Sequence, residues 1–321
     1  MLTQINVDGL FNLYNYRIEP LVQDDRKIHF LTSPNGYGKT TILEMIHAVL
    51  EKNYERLSEI PFDVFSLVFE NNKLTLVRER MSEKQDLTTD LVKEPVVRLN
   101  ISLYREEDDS EVLLDSVVVR KSTSDMEVVE GNGNIDLFFV SKTCHYLTDS
   151  RLLRKKTDVQ KSSVQVDAIN LEEYAADLKT ILNDPTRIEL YKDRIELFKK
   201  IVGRCEFASK EMEVTKLFGF RFIADDEFKS KISLNSLSSG EKHMIIQLYE
   251  LLFNAQEGTL VLIDEPELSL HMMWQMNYLK NLEDIAALRG FQCLVATHSP
   301  QIFNSMWSMT TDLFTISNRG K

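Results

Sequence analysis

Lys39 and Thr40 stand directly behind two glycines in Ser33-Pro34-Asn35-Gly36-Tyr37-Gly38-Lys39-Thr40-Thr41. An ammonium and a hydroxyl at that spacing can hold a polyphosphate and a divalent cation. Gly36 and Gly38 let the main chain turn so that its N–H groups point inward. Lys39 is placed to reach β- and γ-phosphates and Thr40 to ligate Mg²⁺. Asn35 and Thr41 complete the cradle, and Ser33 occupies the place where such loops usually carry their first glycine. Alone, the stretch also reads as a solvated Asn-Gly turn; three further stretches answer to it.

The second is Thr259-Leu260-Val261-Leu262-Ile263-Asp264-Glu265-Pro266-Glu267. An unbroken apolar run ending in acids is a buried parallel strand delivering carboxylates to its C-terminal end. Asp264 would hold Mg²⁺ through water, and Glu265 would orient and deprotonate an attacking water. The bland alternative is a strand followed by an acidic turn. The third is Leu237-Ser238-Ser239-Gly240-Glu241-Lys242, where Ser238 and Glu241 have the spacing of a capping box. A capped helix start carrying Ser238, Ser239 and Gly240 is also an anion site. The fourth, Cys293-Leu294-Val295-Ala296-Thr297-His298-Ser299-Pro300, is another apolar run ending in a polar turn. A lone histidine is more often structural; at the end of a strand parallel to that of Asp264, His298 would sit over the phosphates.

The elements that must position these groups are legible beside them. Lys27–Leu31 reads as a short buried strand, and Ile42, Leu43, Ile46, Val49 and Leu50 recur at helical spacing after the loop. Strand, glycine turn and helix in that order is the context a phosphate loop requires. Met244, Ile245, Leu248, Leu251 and Leu252 give one apolar helical face behind the capping box. His271–Leu288 is the crossover helix of a βαβ unit between the Asp264 and His298 strands. Its Met272, Met273, Trp274, Met276 and Leu279 read as core packing, with partner docking as the alternative.

Taken together these stretches resemble the ATP-binding-cassette ATPases of the SMC/RecF/OLD type. Ser33–Thr41 looks like their Walker A, Leu237–Lys242 like their signature, Leu262–Glu265 like their Walker B, Pro266–His271 like their D-loop and His298 like their switch histidine. The wording "LSSGEK", "IDEPELSLH" and "ATHSP" is similar to small bacterial phage-defence ATPases of the OLD-, Septu- and PARIS-like kinds. The resemblance implies an α/β P-loop NTPase head: a mostly parallel sheet with helices on both faces, an antiparallel β-lobe over 60–130 and a small helical lobe over 150–235, all within one domain, 1–321. It implies ATP and Mg²⁺ as cofactors. It also implies two heads sandwiching two ATPs, with Ser238 and Gly240 of one meeting the γ-phosphate held by Lys39 of the other. Departures from the family pattern are Ser33 for glycine, Ser239 for the middle glycine and Glu241 for glutamine.

Composition bounds the partners. Lys and Arg number 38 against 50 Asp and Glu, a formal charge of −12, which argues against a sequence-independent grip on DNA by the whole surface. A local basic run, Arg151, Arg154, Lys155, Lys156 and Lys161, leaves nucleic acid open; its plain reading is a solvated charge run. Cys144, Cys205 and Cys293 are far apart and suggest neither a metal nor a disulfide framework, which fits a reducing cytoplasm. No run of about 18 apolar residues predicts a membrane span.

Elsewhere Leu2–Val7 reads as an edge strand and Gly9–Glu19 as a loop. Phe65–Phe69 and Leu74–Leu76 form a hairpin around Asn71-Asn72, and Val96–Tyr104 with Val112–Val119 forms a second around Glu106–Ser110. Asp115 and Ser122–Asp125 read as turn markers, and Ile135–Val140 as a strand entering the parallel sheet. By the same resemblance, Arg151 would sense a γ-phosphate as the Q-loop residue of such ATPases does. Arg154–Val166 is a loop. Leu171–Leu182 and Arg187–Val202 are two helices split at Asp184-Pro185; about 16 residues span only about 24 Å, too short for a coiled-coil arm. Val214–Ile223 returns as strands.

The expected function is ATP hydrolysis by a homodimer or higher assembly that controls a nuclease or toxin encoded separately, in phage defence. The segment after Pro300 is too short for a nuclease domain of its own. Alternatives are a RecF/SMC-like DNA-repair ATPase, an ATP-gated scaffold or sensor with negligible turnover, and the motor of an importer, against which the "DEPELSLH" wording counts.

Overall fold

Leu2, Ile5, Val7 and Leu10 are buried while the residues between them are less so, and register shifts between Leu2 and Gln4 and between Val7 and Leu10 bring them to one apolar face. The same alternation recurs through Phe65, Leu67 and Phe69, then Leu74 and Leu76, then Leu99, Ile101 and Leu103, then Val117 and Val119, all buried. One apolar face per strand is the pattern of an antiparallel sheet covered on one side. The computed structural model describes residues 1–22, 26–81, 96–107, 110–121, 126–129, 131–148, 170–205, 207, 209–268 and 270–319. Contacts divide the chain into two units, Met1–His145 with Gln292–Ala296 and Ser308–Lys321, and Tyr146–Phe291 with Thr297–Trp307.

In chain order the elements are β1 (Leu2–Leu10), β2 (Tyr14–Ile18), β3 (Ile28–Thr32), α1 (Lys39–Leu50), α2 (Tyr54–Glu59), β4 (Val64–Phe69), β5 (Asn72–Met81), β6 (Val96–Glu107), β7 (Ser110–Lys121), β8 (Met126–Val129), α3 (Asn134–Val140) and β9 (Cys144–Leu147). There follow α4 (Leu171–Asn183), α5 (Pro185–Leu190), α6 (Lys192–Arg204), β10 (Lys210–Thr215), β11 (Gly219–Ala224), β12 (Lys231–Ile232), α7 (Ser239–Tyr249), β13 (Leu260–Asp264), α8 (Met272–Arg289), β14 (Gln292–Thr297), β15 (Thr310–Asp312), α9 (Leu313–Ile316) and β16 (Asn318–Arg319). The class is α/β. Among the described residues no helix is long and apolar enough to cross a membrane.

The first unit is built on an antiparallel sheet in the order β16-β2-β1-β4-β5-β6-β7-β8, beside which β15 and β3 pair in parallel, Thr310 opposite Phe30. The structure corrects four expectations here. Leu2–Val7 is not at an edge: β1 lies between β2 and β4, because Tyr14–Ile18 is itself a strand, with Phe11 and Asn12 in left-handed turn conformations before it. Gly9–Glu19 is therefore not simply a loop. Ile135–Val140 is helix, not strand; a short apolar run does not declare its period, and only Ile135, Phe138 and Phe139 of it are buried while Leu137 and Val140 are exposed. Asp115 is a buried residue of β7 rather than a turn marker.

The second unit carries α4 to α8. The expected two helices are three, because Asp184 accepts N–H groups of Thr186 and Arg187 and restarts the chain at Pro185, and Tyr191 separates α5 from α6. Met244, Ile245, Leu248, Leu251 and Leu252 are all buried, the last two on a π-helical turn, Glu250–Asn254, that continues α7. On α8 core packing fails for the methionines: Met272, Met273 and Met276 are 57%, 56% and 48% exposed. The buried side of α8 is set by Tyr278, Leu279, Leu282, Ile285 and Ala286, and at about 100° per residue the methionines fall away from it, Met273 on the opposite face. Arg151, the basic run through Lys161, the loop Arg154–Val166 and the turn Ser122–Asp125 lie outside the described residues, as does Ser269 of Pro266–His271.

Asp115 ties β7 to the start of α3. Its Oδ1 accepts N–H groups of Ser116 and Asn132, both at 2.8 Å, and its Oδ2 that of Ile135 at 3.0 Å. Burial by itself would raise this carboxyl; the donated main-chain N–H groups outweigh it and hold it below the usual range. Asp115 is itself 5% exposed, and Asp115→Ala would take the acceptor from the buried Ile135 N–H and from two part-buried donors. It is expected to lower the stability of the first unit by about 3 kcal/mol, read as a shift in urea midpoint; an unchanged midpoint would show that the tie is dispensable.

Candidate functional site

The phosphate-loop half lies in the first unit. Ile28, His29, Phe30 and Leu31 of β3 are buried, so the strand is fixed before the loop begins. Gly36 and Gly38 have φ of 87° and 85°, a conformation that other residues adopt only with strain. A Cβ at Gly38 would stand 2.7 Å from Leu10 Cδ2, whereas at Gly36 nothing lies within 4 Å. The loop is closely backed at one glycine and open at the other.

Lys39 opens α1 and is only 5% exposed. Its ammonium donates to Ser33 O at 3.0 Å and to Ser33 Oγ at 3.3 Å. The serine hydroxyl in turn donates to Pro34 O. Ser33, which stands where a glycine is usual, is a seat for the lysine. Tyr16, buried on β2, donates its hydroxyl to Tyr37 O at 2.8 Å, and the Tyr37 ring lies 5.2 Å from that of Tyr14. Helix α1 starts without a side-chain cap. Left-handed glycines, a lysine ammonium and a helix start of this kind are what a polyphosphate requires, so these residues fit one. Thr40 and Thr41 are half-buried on the first turn of α1, and Asn35 is exposed.

The carboxylate half lies in the second unit. Leu260, Val261, Leu262 and Ile263 are buried on β13 and Asp264 ends it. Glu265 follows with φ of 48°, left-handed without being glycine. Its Oε1 is 3.1 Å from His298 Nε2, so the structure brings together the two residues singled out as base and switch. His298 follows Thr297, which is fully buried at the end of β14.

The capping box forms as its spacing predicts. Ser238 Oγ accepts the Glu241 N–H at 3.3 Å, and Glu241 Oε2 accepts the Ser238 N–H at 2.8 Å. Ser238 and Ser239 are exposed and Gly240 is buried. Glu241 points inward, 5% exposed, and its Oε1 takes the Lys210 ammonium at 2.6 Å. Sequence reasoning missed Lys210, which lies on β10, and the grip of Ser33 on Lys39. It also missed Glu267 and Gln275, whose side chains reach the turn after β14. Such partners are distant in sequence and carry no local spacing; only an acid two places after Glu265 was visible.

Strand, left-handed glycine loop and helix with a buried lysine define a P-loop NTPase of the α/β class. Residues 130–304 match the family described as "AAA domain, putative AbiEii toxin, Type IV TA system", and the chain belongs to that family. Over 92 residues it is 33% identical to a protein described as "Retron Ec83 probable ATPase" from Escherichia coli; the match spans 25% of this chain and 17% of that protein. Solved SMC heads are similar at a more distant level. The "SmcHead bound to the C-winged helix domain of ScpA" gives a TM-score of 0.49 at 12% identity, covering 94% of this chain and 90% of that one. The "SMC head domain from Thermotoga maritima" gives 0.45 at 13%, covering 99% and 98%.

Burial would raise the Glu241 carboxyl, but the Lys210 ammonium and the groups of Ser238 outweigh it and hold it below the usual range. A carboxyl depressed in the fold stabilises it above the unfolded pKa of about 4.3 and loses that contribution as pH falls through the lower native value. Lys210→Met should therefore lower the thermal midpoint at about pH 7, with the difference from wild type shrinking toward about pH 3. An equal loss at both would remove the ion pair as its cause.

Proposed function

We propose that this chain binds and hydrolyses ATP. The observation that carries the reading is the Lys39 ammonium, buried at a loop whose two glycines are both left-handed and which opens beside Gly36. In this reading Ser33, Asn35, Gly36, Gly38, Lys39, Thr40 and Thr41 hold the phosphates. Thr40 and Asp264 hold Mg²⁺, which neutralises charge on the phosphate oxygens. Glu265 is the general base and His298 its partner. Membership of an AAA-domain family supports this assignment.

Lys39→Ala should abolish binding of a fluorescent ATP analogue, because the phosphates lose their counter-charge; unchanged affinity would reduce Ser33–Thr41 to a turn. Glu265→Gln should bind ATP as wild type does yet hydrolyse it slower by about 10²-fold or more. Turnover at the wild-type rate would withdraw the base assignment.

The assembly we propose is a head-to-head dimer, or a multiple of it, in which Ser238, Ser239, Gly240 and Glu241 of one copy complete the nucleotide site of the other. Ser238 and Ser239 are exposed at the start of α7, which suits that use. Mixing Lys39→Ala with Ser238→Arg protein leaves one composite site free of both lesions, so the mixture should exceed either mutant in hydrolysis. Mixed dimers that form without rescue would count against sharing.

Its output, in this proposal, is control of a separately encoded nuclease or toxin in bacterial defence. Membership of a family tied to a type IV toxin–antitoxin system and the partial likeness to a retron protein support the defence setting of this proposal. A partner can shift the head equilibrium only by its differential affinity, so the ATP-bound Glu265→Gln protein is the form to compare with nucleotide-free protein.

A further inference from the structure

The turn that carries His298 is held by its main chain. Glu267 Oε1 accepts the N–H of His298 at 2.6 Å and that of Ser299 at 3.2 Å, across 31 and 32 residues of sequence. A carboxylate on a main-chain N–H at that length is a charge-assisted bond. Ser299 N also donates to Thr297 Oγ1, and Ser299 Oγ donates to Gln275 Oε1. Gln275 is anchored in turn, donating to Leu270 O at 3.0 Å.

The acidic segment is wound tightly enough to be the fixed side of this grip. Glu265 O accepts the Leu268 N–H and Glu267 O that of Leu270, at 3.1 and 3.0 Å. Glu265 keeps a left-handed conformation, which a non-glycine residue holds only where its surroundings over-determine it. Two residues of one wound segment therefore meet one turn. Glu265 meets the His298 imidazole, and Glu267 meets the main-chain N–H of the same residue. Glu267 Oε2 is buried with no hydrogen-bond partner among the described residues. All the side-chain hydrogen bonds of Glu267 seen there thus run through Oε1 to the His298 turn.

We infer that Glu267 is a positioning residue for the His298–Glu265 pair, acting through the His298 and Ser299 N–H groups rather than on nucleotide. The inference rests on the assignment of Glu265 and His298 to hydrolysis. An imidazole 3.1 Å from a carboxylate keeps that separation only if its main chain is fixed, and a misplacement of about 1 Å can cost about 10²-fold in rate. Glu267 should therefore matter to kcat and not to ATP affinity.

The test compares Glu267→Ala, Glu267→Asp and Glu267→Gln in the full chain, by steady-state hydrolysis and by single turnover with enzyme in excess. Glu267→Ala should lower kcat by about tenfold or more, with KM for ATP within about twofold. Glu267→Gln should keep most of the rate, since its amide oxygen can accept both N–H groups. Glu267→Asp, one methylene shorter, should fold and lose rate as alanine does; it decides the matter if the alanine variant fails to fold. In a His298→Ala background the Glu267 substitutions should change single-turnover rates by less than about twofold, as expected of residues that act as one unit. An unchanged kcat in both Glu267→Ala and Glu267→Asp would overturn the inference, as would the same fractional loss with and without His298. Glu265→Gln in the same assay separates the two levels. If it turns over as wild type, the hydrolysis assignment fails; if it is slow while the Glu267 variants are not, only the positioning role fails.

Discussion

A main-chain N–H that no ladder or helix pairs still needs an acceptor, and at several irregular places this chain supplies a carboxylate. Asp115 takes N–H groups from Ser116, Asn132 and Ile135 where β7 meets the start of α3. Asp184 takes those of Thr186 and Arg187 and turns one helical run into two. Glu241 takes that of Ser238 at the start of α7, and Glu267 those of His298 and Ser299 after β14. An ionised acceptor makes a stronger bond than a neutral one, and each carboxylate fixes a bend where no ladder or helix could. Some of the acidic excess of the chain is used internally in this way rather than spread over a solvated surface.

The start of α1 is handled differently. No side chain caps it, two left-handed glycines precede it, and the nearby charge is an ammonium. Where an acid would have satisfied the helix start, the sequence keeps one away and places a cation. That inversion is the physical basis of the proposal that the loop holds an anion. Ser33 completes it, since a buried ammonium needs acceptors and the carbonyl and hydroxyl of one residue provide two.

The carboxylate and histidine stretches have a related logic in the second unit. Glu265 and His298 are brought within 3.1 Å by two segments that are each tied down by main-chain hydrogen bonds, one wound on itself and one gripped by Glu267 and Gln275. The Glu241–Lys210 pair does the same for the capping box, joining α7 to a strand that precedes it by a long stretch of chain. In each case the residue with the chemical assignment is short-range and legible, while the residue that steadies it arrives from far away.

That division marks what the sequence by itself determined. Glycine spacing fixed the turn at Gly36 and Gly38, the apolar runs placed β3, β13 and β14, and the Ser238–Glu241 spacing specified a capping box, because each depends on residues within one turn or one strand. The tertiary structure decided the rest. It placed β1 inside its sheet, through a second strand, Tyr14–Ile18, that lies hidden behind two left-handed turn residues. It made Ile135–Val140 a helix, because an apolar run that short has no period of its own and Asp115, from a distant strand, accepts its N–H. It left Met272, Met273 and Met276 exposed, because which face of an apolar helix is covered depends on what packs against it. It turned Glu241 toward Lys210 and Glu267 toward His298, because a carboxylate's partner is set by proximity in space, to which spacing along the chain is blind.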